Sequence, residues 1–357
     1  MNATDTASAT TTIGDHRHVV DPALLTSIAN DCPTVDNNID FDGRSLLRRL
    51  ADSGCLDLGL PGSAGGYRDQ ARVFTDLASV CMTSAFTAWA HRMTVEYLAV
   101  FGGDHLADLA HRVRSAERPG STALAGTFRA AAGVAELPVI ERSGRASGFI
   151  SWASNLYDDA VVVTGVDRGD GPSLVAFDRS GPGVEVRAVT GLMALDGTHS
   201  GALRLTEMPV APTQVLSAPF DEFIARVRPT FLTMQSAFAL GLASASLSEI
   251  GDLDGPAIAL EHELTSTRSD LARLTGEVER AAGELDRART PSLRAALETR
   301  LEASHLATRA TQLELALRGG SGFGATTPTA RRVREALFLP VQSPTEVQLH
   351  WELAQQP

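Results

Sequence analysis

Hydrophobic positions in the first third of the chain follow the spacing of α-helices. Leu46, Leu47 and Leu50 form one apolar stripe. Over residues 69–102 the apolar side chains again recur every three or four positions, which is the pattern of an amphipathic helix. The pattern predicts helices over most of residues 20–117.

The last part of the chain, residues 213–357, is also predicted to be helical. Three long helices are expected, over residues 220–250, 260–285 and 291–317. The first is rich in Ala, Leu and Ser, which suits a buried helix, whereas the other two carry many Glu and Arg on one face. A glycine pair at 319–320 is typical of a helix end, and two shorter helical pieces are expected after it.

The middle of the chain changes to the short period of β-strands. Apolar or alternating runs bounded by Gly, Pro and Asp lie at residues 161–163, 174–177, 184–186 and 202–205. Such runs between turn residues predict strands. The boundaries that follow are a disordered leader (1–18), an N-terminal helical domain (19–119), a central β-domain (120–212) and a C-terminal helical bundle (213–357). The fold class is therefore α+β.

Charge and composition exclude several functions. The 357 residues carry 43 acidic and 31 basic side chains, and the formal charge of −12 argues against binding to nucleic acid or anionic lipid. The sequence has no Lys, which excludes a Schiff-base lysine and a P-loop lysine. Cys32, Cys55 and Cys81 form no CxxC pair, which argues against a zinc site or a disulfide framework. The leader is polar and no apolar run reaches 18 residues, so we expect a soluble cytoplasmic protein.

Five short motifs carry a resemblance to a known family. They are GTFRAAAG at 126–133, WASN at 152–155, LDGTHS at 195–200, LRGGSGF at 317–323 and the segment 331–348. Their order and spacing resemble those of the acyl-CoA dehydrogenase superfamily over roughly residues 40–350. The resemblance implies an N-terminal α-helical domain, a central β-barrel-like domain and a C-terminal four-helix bundle.

The resemblance also implies a flavin cofactor, FAD. Ser154 matches the hydroxyl residue that faces flavin N5, Thr127 matches a flavin-contacting threonine, and Trp152 would form a wall of the ring site. Gly319 and Gly320 match the glycine turn near the cofactor. A flavin needs hydrogen-bonding groups held on rigid strands, which short hydroxyl side chains provide. On the residues alone, the two hydroxyls are equally well ordinary strand residues and Trp152 a core residue.

The catalytic carboxylate of the superfamily is missing. Its usual position falls on Gln342, and an amide does not accept a proton at neutral pH. A second branch of the superfamily carries its glutamate at a position that matches Val227 or Phe231, and neither can serve. The same stretch places Arg228 and Phe231 at the substrate.

Three further features bear on the chemistry. His91 lies on the helix expected to line the flavin and is a candidate catalytic residue, with a packing histidine as the alternative. The link at 251–256 is acidic and shorter than the family's FAD-binding segment, so FMN, a diffusing reduced flavin or no flavin remain alternatives to FAD. Gly133 stands where a pantetheine-contacting serine is usual, which weakens the case for CoA but not for an acyl carrier protein.

Three functions remain open from the sequence. The first is a flavin-dependent oxidoreductase acting on an acyl thioester or related small molecule, in specialised metabolism. The second is a two-component monooxygenase that uses reduced flavin from a separate flavin reductase together with oxygen. The third is a non-catalytic binding or assembly subunit. In each case a homodimer or homotetramer is expected.

Overall fold

The structure, a computed structural model, describes residues 19–36 and 41–356; the predicted leader lies outside the described residues. The first block of elements is helical: α1 (Pro22–Val35), α2 (Gly43–Asp52), α3 (Tyr67–Val80), α4 (Met82–Phe101) and α5 (Ala107–Arg114). The second block contains β1 (Gly120–Thr122), α6 (Ala125–Ala131), β2 (Val139–Arg142), β3 (Arg145–Ala153), β4 (Val161–Asp167), β5 (Pro172–Asp178), β6 (Val184–Ala188) and β7 (Gly201–Pro209). The third contains α7 (Phe220–Ser248), α8 (Glu261–Leu285), α9 (Leu293–Arg318), α10 (Pro328–Phe338) and α11 (Glu346–Gln355). The predicted α+β class, with helices before and after a sheet, is confirmed.

The helical pattern over residues 69–102 belongs to two helices that meet at Cys81. The backbone of Cys81 is extended, with φ −158°, so α3 ends before it and α4 begins after it. α4 is buried along almost its whole length and carries Trp89 and His91. Its amphipathic pattern is therefore weak, because neighbours surround it on all sides.

The seven described strands form one mixed sheet. Their order is β1-β4-β2-β3-β7-β6, with β5 also paired to β4. β3 runs antiparallel to β7, and β1 runs parallel to β4. The strands predicted at 161–163, 174–177, 184–186 and 202–205 are confirmed as β4 to β7. Sequence patterning did not predict β1, β2 or the short helix α6, because each is only three to seven residues long.

The two helical blocks share one hydrophobic core, to which β4 contributes Val161 and Val163, while a second cluster lies within the sheet. Phe74 of α3 belongs to the same buried cluster as Phe238 of α7. A Cβ atom on Gly241 would lie 2.3 Å from the carbonyl oxygen of Thr75, so glycine permits the close approach of α7 to α3. The sheet core is separate and includes Val162.

The long C-terminal helices lie close to their predicted positions. α9 begins at Leu293, capped by the hydroxyl of Ser292, and ends at Arg318, followed by the C-cap residue Gly319 with a positive φ of 55°. By length and composition, α7 could cross a membrane, but 94% of its apolar stretch is buried in the protein. Such burial is typical of a core helix.

Candidate functional site

The strand β3 presents the side chains that the resemblance assigns to the flavin ring. Trp152 is 50% exposed, although it is a large aromatic residue on a strand. Ser154 follows two residues later, just past the end of β3, and is mostly buried. Its carbonyl oxygen accepts a hydrogen bond of 2.5 Å from the Ser121 hydroxyl, which holds the end of the strand in place. The end of β3 therefore carries an exposed indole and, two residues later, a mostly buried hydroxyl group.

A chain of three hydroxyl groups fixes the proton of Ser154. The Thr198 hydroxyl donates to the carbonyl oxygen of Leu195 (2.8 Å), so Ser200 must be the donor in the 2.7 Å contact between Ser200 and Thr198. Ser200 therefore accepts from Ser154, at 2.7 Å. The lone pairs of Ser154, and not its proton, remain for a ligand. Thr198 and Ser200 lie in the LDGTHS motif, but only the fold brings them to Ser154.

Thr127 lies beneath the surface. It belongs to α6, is fully buried, and its Oγ1 accepts a hydrogen bond from the backbone N–H of Gly165 on β4 (3.0 Å). A Cβ on Gly165 would lie 2.6 Å from this oxygen, so glycine is needed for the contact. Thr127 anchors α6 to the sheet, and the segment that the resemblance expects as a cofactor loop is a helix here.

Gln342, the residue at the expected position of the catalytic carboxylate, belongs to a buried hydrogen-bond network around Arg300. Gln342 accepts a hydrogen bond through Oε1 from Arg300 Nη2 (3.0 Å), and Gln235 Oε1 accepts from Arg300 Nε (3.2 Å). Arg300 is fully buried, and burial lowers its pKa to about 10, so it stays charged at neutral pH. In the part of the chain that the structure describes, no carboxylate forms an ion pair with it; only the charge of Glu346 acts from farther away. This network was not predicted from the sequence, and in it the Gln342 amide oxygen serves as an acceptor for Arg300.

Aromatic side chains fill the interior between α4, α6 and α7. Phe231, expected at the substrate, packs edge-on against Trp89 with ring centroids 4.6 Å apart and against Phe128 at 4.8 Å. Phe86 stacks on Trp89, with ring centroids 5.2 Å apart. All four rings are buried. A cavity of about 100 Å³ does exist between α7, α8 and α9, but its lining includes none of the expected site residues.

Arg228, the second residue expected at the substrate, is held in a buried ion pair. Its Nη2 donates to both carboxylate oxygens of Glu352 on α11, one at 2.6 Å, and its Nη1 donates to the carbonyl oxygen of Phe128 (3.0 Å). Gln348 donates a further hydrogen bond to Glu352 (2.8 Å). The pair therefore joins α6, α7 and α11, and the guanidinium is already neutralised.

His91 is fully buried, and the structure places it in a packing role. The backbone N–H of Gly120 donates to Nδ1 (2.9 Å), so Nδ1 carries no proton in this tautomer. Burial lowers the pKa of His91 to about 3, with the charge of Arg92 acting in the same direction. The ring is neutral at pH 7, and we assign it no catalytic role.

The remaining candidates lie on the surface. Gly319 and Gly320 are exposed and close the end of α9. In the acidic link, Asp252 and Asp254 are also exposed. The structure therefore leaves Trp152 exposed two residues before Ser154 and places Thr127, His91 and Arg228 in structural contacts.

Comparison with known proteins identifies the fold. Glutaryl-coenzyme A dehydrogenase in its glutaryl-CoA complex matches with a TM-score of 0.81 and 16% identity, over 93% of each chain. The prolyl acyl carrier protein oxidase AnaB matches with a TM-score of 0.78 and 15% identity, over 93% of this chain and 97% of that one. PigA with FAD and proline matches with a TM-score of 0.77 and 15% identity, over 96% and 98%. No family model matches the sequence, and no curated protein matches it either.

Proposed function

We propose that this chain, which has the acyl-CoA dehydrogenase fold, is a flavin-dependent oxidoreductase that holds the flavin ring against β3 and prefers the reduced flavin. One observation carries the proposal. Trp152 is half exposed two residues before Ser154, whose hydroxyl proton is directed inward to Ser200. An exposed indole is a suitable surface for a flat ring.

The hydroxyl of Ser154 supports the preference for reduced flavin. N5 of an oxidised flavin has only a lone pair, whereas N5 of a reduced flavin carries a hydrogen. Since Ser154 already donates its proton to Ser200, its oxygen is available to accept a hydrogen bond from N5–H. When bound, the flavin would supply the redox chemistry, and this chain would supply binding and orientation.

The interior argues against ordinary acyl-CoA desaturation. That reaction needs a carboxylate near the substrate α-carbon, and position 342 holds an amide bonded to Arg300. The space between α4 and α7 is occupied by Trp89 and Phe231. We therefore propose a small substrate, and a reaction that does not begin with removal of an α-proton. Supply of the flavin by a separate reductase, and oxygen as co-substrate, fit this proposal.

A non-catalytic role is the second candidate. The same buried packing that excludes a long acyl chain also favours a chain that has lost its substrate pocket. A flavin-binding protein without turnover, or one that binds no flavin at all, would then act as a binding or assembly subunit.

A second copy of the chain is the partner we propose for the C-terminal surface. Large apolar side chains are exposed there on α10, on α11 and between them: Leu337, Val341, Val347 and Trp351. Exposed apolar side chains on neighbouring elements favour association. Light scattering should give twice or four times the mass of one chain.

Flavin titration tests the proposed function directly. The protein is titrated with FAD and FMN, each oxidised under air and each reduced anaerobically with dithionite, and bound flavin is measured by equilibrium dialysis. We expect tighter binding of a reduced form. Trp152→Ala should raise the Kd at least about tenfold, a loss of about 1.4 kcal/mol, and Ser154→Ala should reduce the preference for reduced flavin.

Phe149 provides the matched control for this titration. It lies on the same strand and is 42% exposed, but it packs under Arg204 at 5.7 Å. Phe149→Ala should leave the Kd within about twofold of the wild-type value. Equal losses for Phe149→Ala and Trp152→Ala would contradict the placement of the ring, and no binding of any flavin would favour the non-catalytic role.

Incubation with butyryl-CoA in D₂O tests the second part of the proposal. Without a carboxylate at position 342, the flavin-loaded protein should incorporate no deuterium at the α-carbon, as measured by mass spectrometry. Rapid exchange would show that another group acts as the base.

A further inference from the structure

A fully buried arginine of the C-terminal helices has no counter-charge in contact with it. Arg300 lies on α9, and among residues 19–36 and 41–356 no carboxylate forms an ion pair with its guanidinium. The nearest negative charge that acts on it is Glu346, which is partly exposed and bonded to the His305 ring at 3.0 Å. Charges in protein interiors are normally paired, because an unpaired buried ion is strongly destabilising.

Hydrogen-bond donors without acceptors gather around the same guanidinium. Of its five N–H groups, one on Nε and two on Nη2 are used, and Nη1 has no partner among the described residues. Gln342 must face Arg300 with Oε1, since a guanidinium cannot accept, and the amide Nε2 is likewise unpartnered within the described chain. The same holds for the buried hydroxyls of Ser304, one turn further along α9, and of Ser343, next to Gln342.

The acceptors of this region are already in use. Gln342 Oε1, Gln235 Oε1 and the carbonyl oxygen of Leu339 all accept from Arg300. The carbonyl oxygen of Ser343 accepts from Gln235 Nε2 at 2.9 Å, which fixes the segment 339–345 between α10 and α11 against α7. The groups that remain are donors beside a positive charge. A ligand that matches them accepts hydrogen bonds and carries a negative charge.

We propose that this cluster is a binding site for one chloride ion. Arg300 Nη1 and Gln342 Nε2 hold the ion, and the hydroxyls of Ser304 and Ser343 are further donors. A monatomic anion is the smallest ligand that meets both requirements, and water meets only the first. The bound ion neutralises Arg300 and links α9 to the segment 339–345.

The ion stabilises the folded chain only. Its donors come from two segments that are about forty residues apart, so the unfolded chain does not assemble the site. Chloride should therefore raise the free energy of unfolding, and the slope against the logarithm of free chloride should approach that for one ion per chain. Because equilibrium unfolding opens the chain, the ion needs no path into the folded protein.

Urea denaturation of the wild-type protein tests the proposal first. Sodium chloride is varied at pH 7 while sodium gluconate keeps the ionic strength constant, and circular dichroism gives the midpoint. We expect the midpoint to rise with the concentration of chloride, and bromide to act in the same way. A midpoint that does not depend on either halide would overturn the proposal.

Arg92 provides a matched control. It is also buried, but its Nη1 donates to the Glu96 carboxylate at 2.7 Å, so its charge already has a partner. Arg300→Met should lose the dependence on chloride, and Arg92→Met should keep it despite its own loss of stability. Gln342→Glu should also lose it, because the new carboxylate supplies the charge. A wild-type dependence in folded Arg300→Met would place the chloride effect elsewhere and refute the site.

A bromide derivative locates the ion without any substitution, so the test stands even if a variant does not fold. The wild-type protein is refolded and crystallised in sodium bromide, and anomalous scattering is measured at the bromine edge. We expect one peak within hydrogen-bond distance of Arg300 Nη1. Water alone at this position, or side chains that fill it, would refute the proposal.

Discussion

Replacing Gln342 with glutamate tests whether Arg300 is a buried charge without a partner. Arg300 donates hydrogen bonds to Gln342, Gln235 and the carbonyl oxygen of Leu339, but Nη1 has no partner among the residues that the structure describes. All three acceptors are neutral. A carboxylate at position 342 would supply the missing negative charge at the distance that the amide oxygen now occupies.

The structure sets the size of the effect. Arg300 Nη2 and Gln342 Oε1 are 3.0 Å apart. At an effective dielectric constant of about 20, opposite charges at this distance attract by about 5 kcal/mol. Transfer of the carboxylate out of water opposes this by several kcal/mol. We therefore expect Gln342→Glu to raise the free energy of unfolding at pH 7 by about 1–2 kcal/mol.

The gain should depend on pH in one direction. Arg300 would lower the pKa of the new carboxylate in the folded protein. The stabilisation is then present at pH 7 and is lost as the pH falls below about 4 and the carboxylate is protonated. Urea denaturation followed by circular dichroism, carried out for both proteins at pH 7 and at a series of lower pH values down to about 2.5, measures the gain and its loss.

Two further variants complete the experiment. Gln342→Met removes the acceptor without adding charge and should destabilise the protein by about 1–3 kcal/mol. In an Arg300→Met background, Gln342→Glu should lose its benefit, because the carboxylate would be buried without a partner. A loss of more than about 2 kcal/mol for Gln342→Glu alone at pH 7, or a gain that persists without Arg300, would refute the reasoning.

Three other predictions concern stability. Arg228→Met should cost about 3–5 kcal/mol in urea denaturation, because it leaves a buried carboxylate unpaired; a cost below about 1 kcal/mol would contradict the ion pair. Trp89→Ala should cost about 3–5 kcal/mol, whereas Trp152→Ala, at a half-exposed position, should cost less than about 1 kcal/mol; similar costs would show that the two indoles are equally buried. Burial raises the pKa of Glu335 to about 7 despite Arg331, so the folded protein binds the extra proton, and this group should lower stability by about 3 kcal/mol as the pH rises from about 4.5 to 7. The lowered pKa of His91 acts in the opposite direction over part of this range, so the contribution is measured as the difference between the wild-type protein and Glu335→Gln. An identical pH profile for both proteins would count against the buried carboxylate.

The elements that sequence patterning predicted are those with long periodic patterns. The helices α7, α8 and α9 and the strands β4 to β7 lie within a few residues of their predicted bounds. In a long periodic pattern, many positions support the same prediction, so one residue that does not fit the period does not change it. The break at Cys81 and the helix α6 were missed because each depends on a few residues whose tertiary contacts outweigh their local preference.

Site residues were harder to predict than elements. That position 342 holds an amide and no carboxylate is given by the sequence, because it depends only on the chemistry of one side chain. The roles of Thr127 and His91 could not, since each depends on a distant backbone N–H, from Gly165 and from Gly120 respectively. The sequence of a motif does not indicate which hydrogen-bond partner its hydroxyl or imidazole group will have in the folded protein.

The sequence by itself determined the order of helices and strands, the acidic charge, the absence of lysine and the absence of a carboxylate at position 342. These are properties of composition and of near neighbours along the chain. The tertiary structure alone decided that Ser154 directs its proton to Ser200 and that Trp89 and Phe231 fill the interior. Hydrogen bonds and packing contacts act over a few ångströms between residues far apart in sequence, so only the folded chain specifies them.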